Sequence, residues 1–175
     1  QESLEAKKTF LEIIDICIKE EIKIISIPLL EKISLKDEKV FKEIFNFLKS
    51  NLNGTNINIL LETDLEVDIL KNVILSSSIQ NLGVLYDLGN ACKFNFDFQE
   101  DFKKLGELIK EIHIKDFSIE NNKSVSLGKG NVDFRKVFEV LNNNNWNGLL
   151  VLETPIFQNW ELEIKKNMEF LDYFI

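Results

Sequence analysis

The chain has 175 residues, of which 45% are apolar and 29% charged, and these values are typical of a globular domain with a sizeable core. Its formal net charge of −8 argues against a surface for nucleic acid or anionic lipid, because clustered Lys and Arg bind phosphate groups. No apolar run reaches the ~20 residues of a membrane span, and no signal peptide is visible. We therefore expect a cytoplasmic protein without nucleic-acid or membrane partners, in which Cys17 and Cys92 are reduced thiols.

Apolar spacing alternates between helical and strand patterns along the chain. In chain order, the first half predicts helix 3–20, strand 22–30, helix 34–52, strand 56–63 and helix 65–79. The second half predicts strand 82–90, helix 97–109, strand 109–117, a polar loop, helix 132–145, strand 148–155 and helix 159–174. Ser34 and Asp37 are candidate caps of the second helix. Because apolar strands alternate with helices, we expect an α/β fold with a parallel sheet, and residues 1–175 as a single domain.

A side chain that can bind a metal lies near the end of each of the last four strands: Glu62, Asp87, His113 and Glu153. The carboxyl ends of parallel strands share one face of the fold, and active sites of α/β proteins are built there. We therefore expect the four side chains to converge. Three carboxylates and one imidazole suit Mn²⁺, Mg²⁺ or Co²⁺ better than a metal that prefers thiolates.

Acidic residues after strands also cap the helices that follow, and this is the alternative at each single position. The alternative must hold at Glu62, Asp87 and Glu153 together, and it gives no role to His113, the only histidine of the chain. A metal site accounts for all four residues.

Five segments resemble a known family in their order and spacing: ILLETDL, VLYDLGNA, EIHIKDF, SLGKGNVDF and LLVLETP. Together they are similar to the C-terminal part of the xylose isomerase-like TIM barrels, nearest to the sugar phosphate isomerases and epimerases. The resemblance covers essentially the whole chain. It implies an incomplete (β/α)₈ barrel with about five βα units, corresponding to strands four to eight.

The resemblance implies one divalent metal ion held by Glu62, Asp87, His113 and Glu153. It also implies that Glu62 and Glu153 are the catalytic acid and base of an isomerase or epimerase, which moves a proton alpha to a carbonyl through an enediolate. The ion would stabilise the enediolate oxygens, while burial and the charge of the metal would set the two glutamate pKa values apart.

Three further residues are candidate substrate contacts. Asn90 stands where relatives often place a polar substrate contact, and the alternative is a Gly-Asn turn. Lys115 could bind a substrate oxygen or phosphate, or pair with Asp116. Lys129 lies in a segment that resembles the family's glycine loop, where relatives more often carry an acidic residue, so it is either an anion contact or a solvated lysine. Asp133 is expected to cap the following helix.

A closed (β/α)₈ barrel typically takes ~250 residues. This chain supplies five strands, and its first residue is Gln rather than Met. We expect it to be the C-terminal part of a longer enzyme, with open sheet edges, and to be weakly stable and largely inactive alone. The identity of the sugar, its phosphorylation and a homo-oligomeric state stay open.

Three other functions are alternatives to an isomerase or epimerase. The nuclease branch of the same superfamily, which cleaves DNA at abasic sites, looks to need several histidines for a multi-zinc cluster; one histidine and a net charge of −8 argue against it. A barrel that has lost catalysis and serves as a binding module is disfavoured by the intact set of four ligands. A dehydratase or lyase acting on a keto-inositol or similar polyol would use the same metal and base.

Overall fold

The structure, a computed structural model, describes residues 2–30, 38–52, 54–155 and 159–174. Ser34 and Asp37, the predicted caps of the second helix, lie outside the described residues. Contacts within the chain divide it into two compact units, with the boundary between Gly83 and Val84. The single domain expected from the sequence stays a prediction.

Helices and strands alternate along the described residues. The helices are α1 (Glu2–Lys19), α2 (Glu38–Leu52), α3 (Val67–Ser77), α4 (Leu88–Lys93), α5 (Phe98–Leu105), α6 (Phe134–Asn143) and α7 (Trp160–Leu171). The strands are β1 (Ile24–Leu29), β2 (Asn58–Thr63), β3 (Leu82–Asp87), β4 (Ile109–Ile114), β5 (Asp116–Ser118), β6 (Lys123–Val125) and β7 (Leu149–Leu152).

Five of these strands form a parallel sheet in the order β1-β2-β3-β4-β7, and β5 pairs with β6 in a separate antiparallel hairpin. The sheet order follows the chain order, as successive βα units require. Within the described residues the sheet ends at β1 and at β7 and does not close. The predicted α/β class, an incomplete (β/α)₈ barrel with five strands, is confirmed.

In the first unit, β1 and β2 pair in parallel, with Ile24 opposite Asn58. Pro28 in β1 has no N–H to donate, and an edge strand tolerates it. The centre of β2, residues 59–61, has no exposed surface. Burial of consecutive residues is expected of a parallel strand that is covered on both faces, in agreement with the apolar runs of the sequence.

In the second unit, β4 pairs in parallel with β3 on one side and with β7 on the other. Asp87 lies opposite His113, and His113 lies opposite Val151. Ile112 and Ile114 alternate with His113 and are buried. This register brings the carboxyl ends of three strands to the same edge of the sheet.

The third strand is shorter than predicted because residues 88–93 form helix α4. The alternative interpretation of Asn90 as part of a Gly-Asn turn is therefore wrong. Asp87 is the N-cap of α4, and its Oδ1 accepts a hydrogen bond of 2.7 Å from the Asn90 N–H. Helix α5 is also shorter than predicted, since Gly106 takes a positive φ of 50° and ends it at Leu105.

The predicted strand 109–117 is interrupted, since β4 ends at Ile114 and β5 begins at Asp116 and pairs with β6 in the predicted polar loop. Residues 126–132 form a second segment that we call the glycine loop. Asp116 at the start of β5 is fully buried, and its carboxylate accepts hydrogen bonds from the N–H groups of Phe117, Gly130 and Val132. Because one carboxylate satisfies three backbone donors, it fixes the path of the glycine loop beside β5.

Asn167 on α7 joins the glycine loop to the end of β7. Its side chain is buried; Oδ1 accepts from the Leu127 N–H at 3.1 Å, and Nδ2 donates to Thr154 Oγ1 at 3.0 Å. We expect Asn167→Ala to lower the free energy of unfolding by about 2 kcal/mol, because it leaves the buried Leu127 amide without its acceptor. Denaturation by urea measures this loss. The exposed Asn147→Ala is the control, with an expected change below about 0.5 kcal/mol, and an equally small change for Asn167→Ala would contradict the prediction.

Candidate metal centre

Three potential metal ligands meet at the carboxyl edge of the sheet in the second unit: Asp87, His113 and Glu153. Asp87 ends β3, His113 is the penultimate residue of β4, and Glu153 directly follows β7. The Glu153 N–H donates to the Ile114 carbonyl at 3.1 Å, so the strand pairing extends to this residue. One ligand atom of each side chain lies within 4.8 Å of the other two. The structure thus brings together three of the four predicted ligands.

The His113 ring lies among carboxylates. Its Nε2 is 3.0 Å from Glu111 Oε1, while its Nδ1 is 2.6 Å from Glu153 Oε2 and 3.7 Å from Asp87 Oδ2. Burial would lower the pKa of His113, but the surrounding carboxylates of Asp87, Glu153 and Glu111 raise it to about 9. The ring therefore sits in a strongly negative environment.

The surroundings of His113 Nδ1 indicate whether these residues fit a cation. This nitrogen is buried and has no partner in hydrogen-bonding geometry among the described residues, although it faces two carboxylate oxygens. A buried nitrogen without a hydrogen bond is costly unless another group satisfies it. One imidazole nitrogen with two carboxylates is a donor set for a divalent ion, so the residues fit such a group.

Asp87 has two contacts that stabilise its charged form. Its Oδ1 caps α4, and its Oδ2 lies 3.3 Å from the Lys115 ammonium. Burial would raise the pKa of Asp87, but the neighbouring His113 ring, the hydrogen bond from the Asn90 amide and the Lys115 ammonium together lower it. The carboxyl group is therefore ionised at neutral pH, as a metal ligand must be.

The capping alternative explains only one of the three acidic residues. Asp87 does cap the helix after its strand, but the N-cap of α3 is Glu66 and that of α7 is Asn159, rather than Glu62 and Glu153. Asp133 caps α6 as expected, accepting from the Lys136 N–H.

Lys115 reaches the same cluster. Its Nζ lies 2.9 Å from Glu153 Oε1 as well as near Asp87, and its side chain is 17% exposed. Burial would lower the pKa of Lys115, but the two carboxylates raise it. β4 ends at Ile114, so the ammonium group reaches the site from the residue after the strand. Asp116, the other suggested partner of Lys115, instead accepts from backbone amides of the glycine loop.

The other predicted site residues lie in different surroundings. Glu62 is the penultimate residue of β2 in the first unit and is half-buried. Asn90 is in the first turn of α4 and half-buried, and Lys129 is exposed in the glycine loop. The roles of Glu62, Asn90 and Lys129 stay predictions.

Glu111 is a residue of the site that the sequence analysis missed. It precedes His113 by two positions on β4, and alternate residues of a strand point to the same face. The spacing of Glu111 and His113 in EIHIKDF therefore indicates that both side chains lie on the same face of the strand.

None of the described helices is long and apolar enough to cross a membrane.

A family model described as "Xylose isomerase-like TIM barrel" matches residues 10–174 of the chain. The match includes every residue of the candidate metal centre. A comparison with curated protein sequences gave no significant match.

Several solved structures have the same fold. A xylose isomerase domain protein from Planctomyces limnophilus has a TM-score of 0.78 and 19% identity, with 98% of this chain and 64% of that chain covered. The 3-keto-D-glucoside 4-epimerase YcjR from E. coli has a TM-score of 0.78 and 16% identity, with 97% and 71% covered. The IolI protein, solved with a binding zinc atom, has a TM-score of 0.75 and 15% identity, with 96% and 69% covered. The chain thus spans 64% to 71% of these relatives.

Proposed function

Because the chain belongs to the xylose isomerase-like TIM barrel family, we propose that it is a divalent-metal-dependent isomerase or epimerase of a sugar or sugar phosphate. The observation that carries the proposal is the convergence of Asp87, His113 and Glu153, with the buried Nδ1 of His113 facing both carboxylates. The similar structures include a sugar epimerase and a protein with a bound zinc atom, which supports this kind of chemistry.

The residues that would hold the ion are Asp87, His113 and Glu153, with Glu62 as the fourth ligand. When bound, the ion would supply positive charge to the oxygens of a substrate carbonyl and its neighbouring hydroxyl. Carboxylates and one imidazole accept Mn²⁺, Mg²⁺, Co²⁺ and Zn²⁺.

The chemical step is a proton transfer between carbon and a glutamate. One glutamate of the pair Glu62 and Glu153 removes the proton alpha to the carbonyl, and the electron pair of the broken C–H bond moves into the carbonyl to form an enediolate. The other glutamate, in its acid form, returns a proton to carbon. Glu153 is suited to proton transfer, as acid or as base, because its side chain is 47% exposed and accessible to substrate.

Lys115, Asn90 and Lys129 are the proposed substrate contacts. The Lys115 ammonium adjoins Asp87 and Glu153, so it can donate to a substrate oxygen at the centre. Lys129 is exposed on the glycine loop, where a phosphate group of the substrate could reach it. Nucleic acid and membranes are not among the proposed partners, and a cytoplasmic location remains a prediction.

Deuterium incorporation from D₂O tests the proton-transfer step. The Mn²⁺-loaded chain at high concentration, incubated with ketoses and their phosphates, is expected to exchange the hydrogen alpha to the carbonyl slowly, as detected by NMR. The expected rate is low because the chain spans only part of its relatives. Glu153→Gln should reduce the exchange at least ~100-fold, since a general base contributes a factor of this size.

The matched control is Glu120→Gln, which removes one carboxylate from the exposed turn between β5 and β6 and should leave the rate unchanged. Isomerised product without deuterium would contradict proton transfer and indicate a hydride shift. Exchange that survives in Glu153→Gln would contradict the role of Glu153 in the proton transfer.

A further inference from the structure

Glu111 is a buried carboxylate in the middle of a parallel sheet. The residue is 5% exposed, and its register partners are Leu85 on β3 and Leu149 on β7. A charge between apolar neighbours is costly unless it is paired and hydrogen-bonded. The contact that the structure shows for this carboxylate is with Nε2 of His113, at 3.0 Å.

This contact determines which nitrogen of His113 carries the proton. A carboxylate oxygen accepts hydrogen bonds, and in this contact Nε2 is the donor. In a neutral imidazole the other nitrogen, Nδ1, then has its lone pair free. Nδ1 is the atom that faces Glu153 Oε2 at 2.6 Å and Asp87 Oδ2 at 3.7 Å.

The side of the ring that faces the candidate ligands is therefore the side that Glu111 leaves unprotonated. A metal-binding histidine commonly donates its second N–H to a carboxylate, which orients the ring and makes the ligating nitrogen more basic. The chain supplies this arrangement from a single strand, since Glu111 and His113 are two residues apart on β4.

We propose that Glu111 is a positioning residue of the metal centre, which holds the His113 ring in the Nε2–H form and presents Nδ1 to the cation. This inference rests on the proposed function, because it requires that the centre binds a divalent ion. It adds a specific residue and a specific ring nitrogen to that proposal.

Calorimetric titration with Mn²⁺ is the first measurement, on wild type, Glu111→Ala and Glu111→Gln. We expect Glu111→Ala to weaken binding about 10- to 100-fold, as the loss of such an outer hydrogen bond does. Glu111→Gln keeps an oxygen that can accept from Nε2–H, so it should lose less. Glu120→Gln, which removes an exposed charge, is expected to bind Mn²⁺ like wild type. Circular dichroism checks that each variant is folded, and Glu111→Gln retains the test if Glu111→Ala does not fold.

The second measurement locates the ring proton. The chain has one histidine, so labelling with [¹⁵N]histidine gives the signals of a single ring. In the Zn²⁺-loaded protein we expect the proton on Nε2, with slow exchange against water, and faster exchange in Glu111→Ala. The position of the proton in wild type, unlike its exchange rate, does not depend on fold stability.

A proton found on Nδ1 of the metal-loaded ring would overturn the inference, as would Mn²⁺ binding by both Glu111 variants at wild-type affinity. Both results would leave the metal centre itself intact. Wild type that binds neither Mn²⁺ nor Zn²⁺ would instead contradict the proposed function, and the role of Glu111 would fall with it.

Discussion

His113→Ala is expected to weaken Mn²⁺ binding at least ~100-fold, more than the loss of any outer hydrogen bond. His113 supplies the nitrogen of the donor set, and its Nδ1 lies between the carboxylates of Asp87 and Glu153. Without the imidazole, the carboxylates of Asp87 and Glu153 remain, but the ion loses its nitrogen ligand. Calorimetry, and metal analysis after exhaustive dialysis, measure the loss.

The control for this prediction separates a specific site from diffuse attraction by acidic residues. The chain carries a net charge of −8, so weak binding of cations at scattered carboxylates is expected in all variants. Glu120→Gln changes that background by one charge without touching the centre and should keep the tight site. Tight binding that is equal in wild type and His113→Ala would rule out the centre.

Gly130→Ala is expected to lower the free energy of unfolding by about 3 kcal/mol, the upper end of the usual cost of overpacking. A Cβ on Gly130 would lie 2.5 Å from the Phe117 carbonyl oxygen and would also overlap Asp116 Oδ1. Neither neighbour can move freely, because Asp116 also accepts from the amides of Phe117 and Val132. The added methyl group must therefore displace the glycine loop. Urea denaturation measures the change.

Gly106→Ala is the matched control, because it isolates backbone strain from steric overlap. Gly106 has a positive φ of 50°, but a Cβ there meets nothing within 4 Å. We expect this variant to lose about 1 to 2 kcal/mol from backbone strain alone. A loss for Gly130→Ala no larger than that for Gly106→Ala would show that the loop is not tightly packed around Asp116.

The alternation of helices and strands and the convergence of Asp87, His113 and Glu153 could be predicted from the sequence. Both depend on short-range periodicity and on a general property of parallel sheets, namely that strand ends share an edge. The contact between Glu111 and His113 was open to the same reasoning, since a spacing of two on a strand places two side chains on one face. The periodicity of the apolar residues, and the positions of the ligands at the strand ends, therefore determined the fold class and the core of the candidate centre.

Other features depended on contacts between residues distant in sequence. Asp116 looked like a partner for Lys115, but backbone amides 14 and 16 residues later compete for its carboxylate and fix the glycine loop. Lys115 also contacts Glu153, which lies 38 residues later in the sequence. Local patterns carry no information about such partners, because it is the packing of the sheet and loops that brings the groups within hydrogen-bond distance.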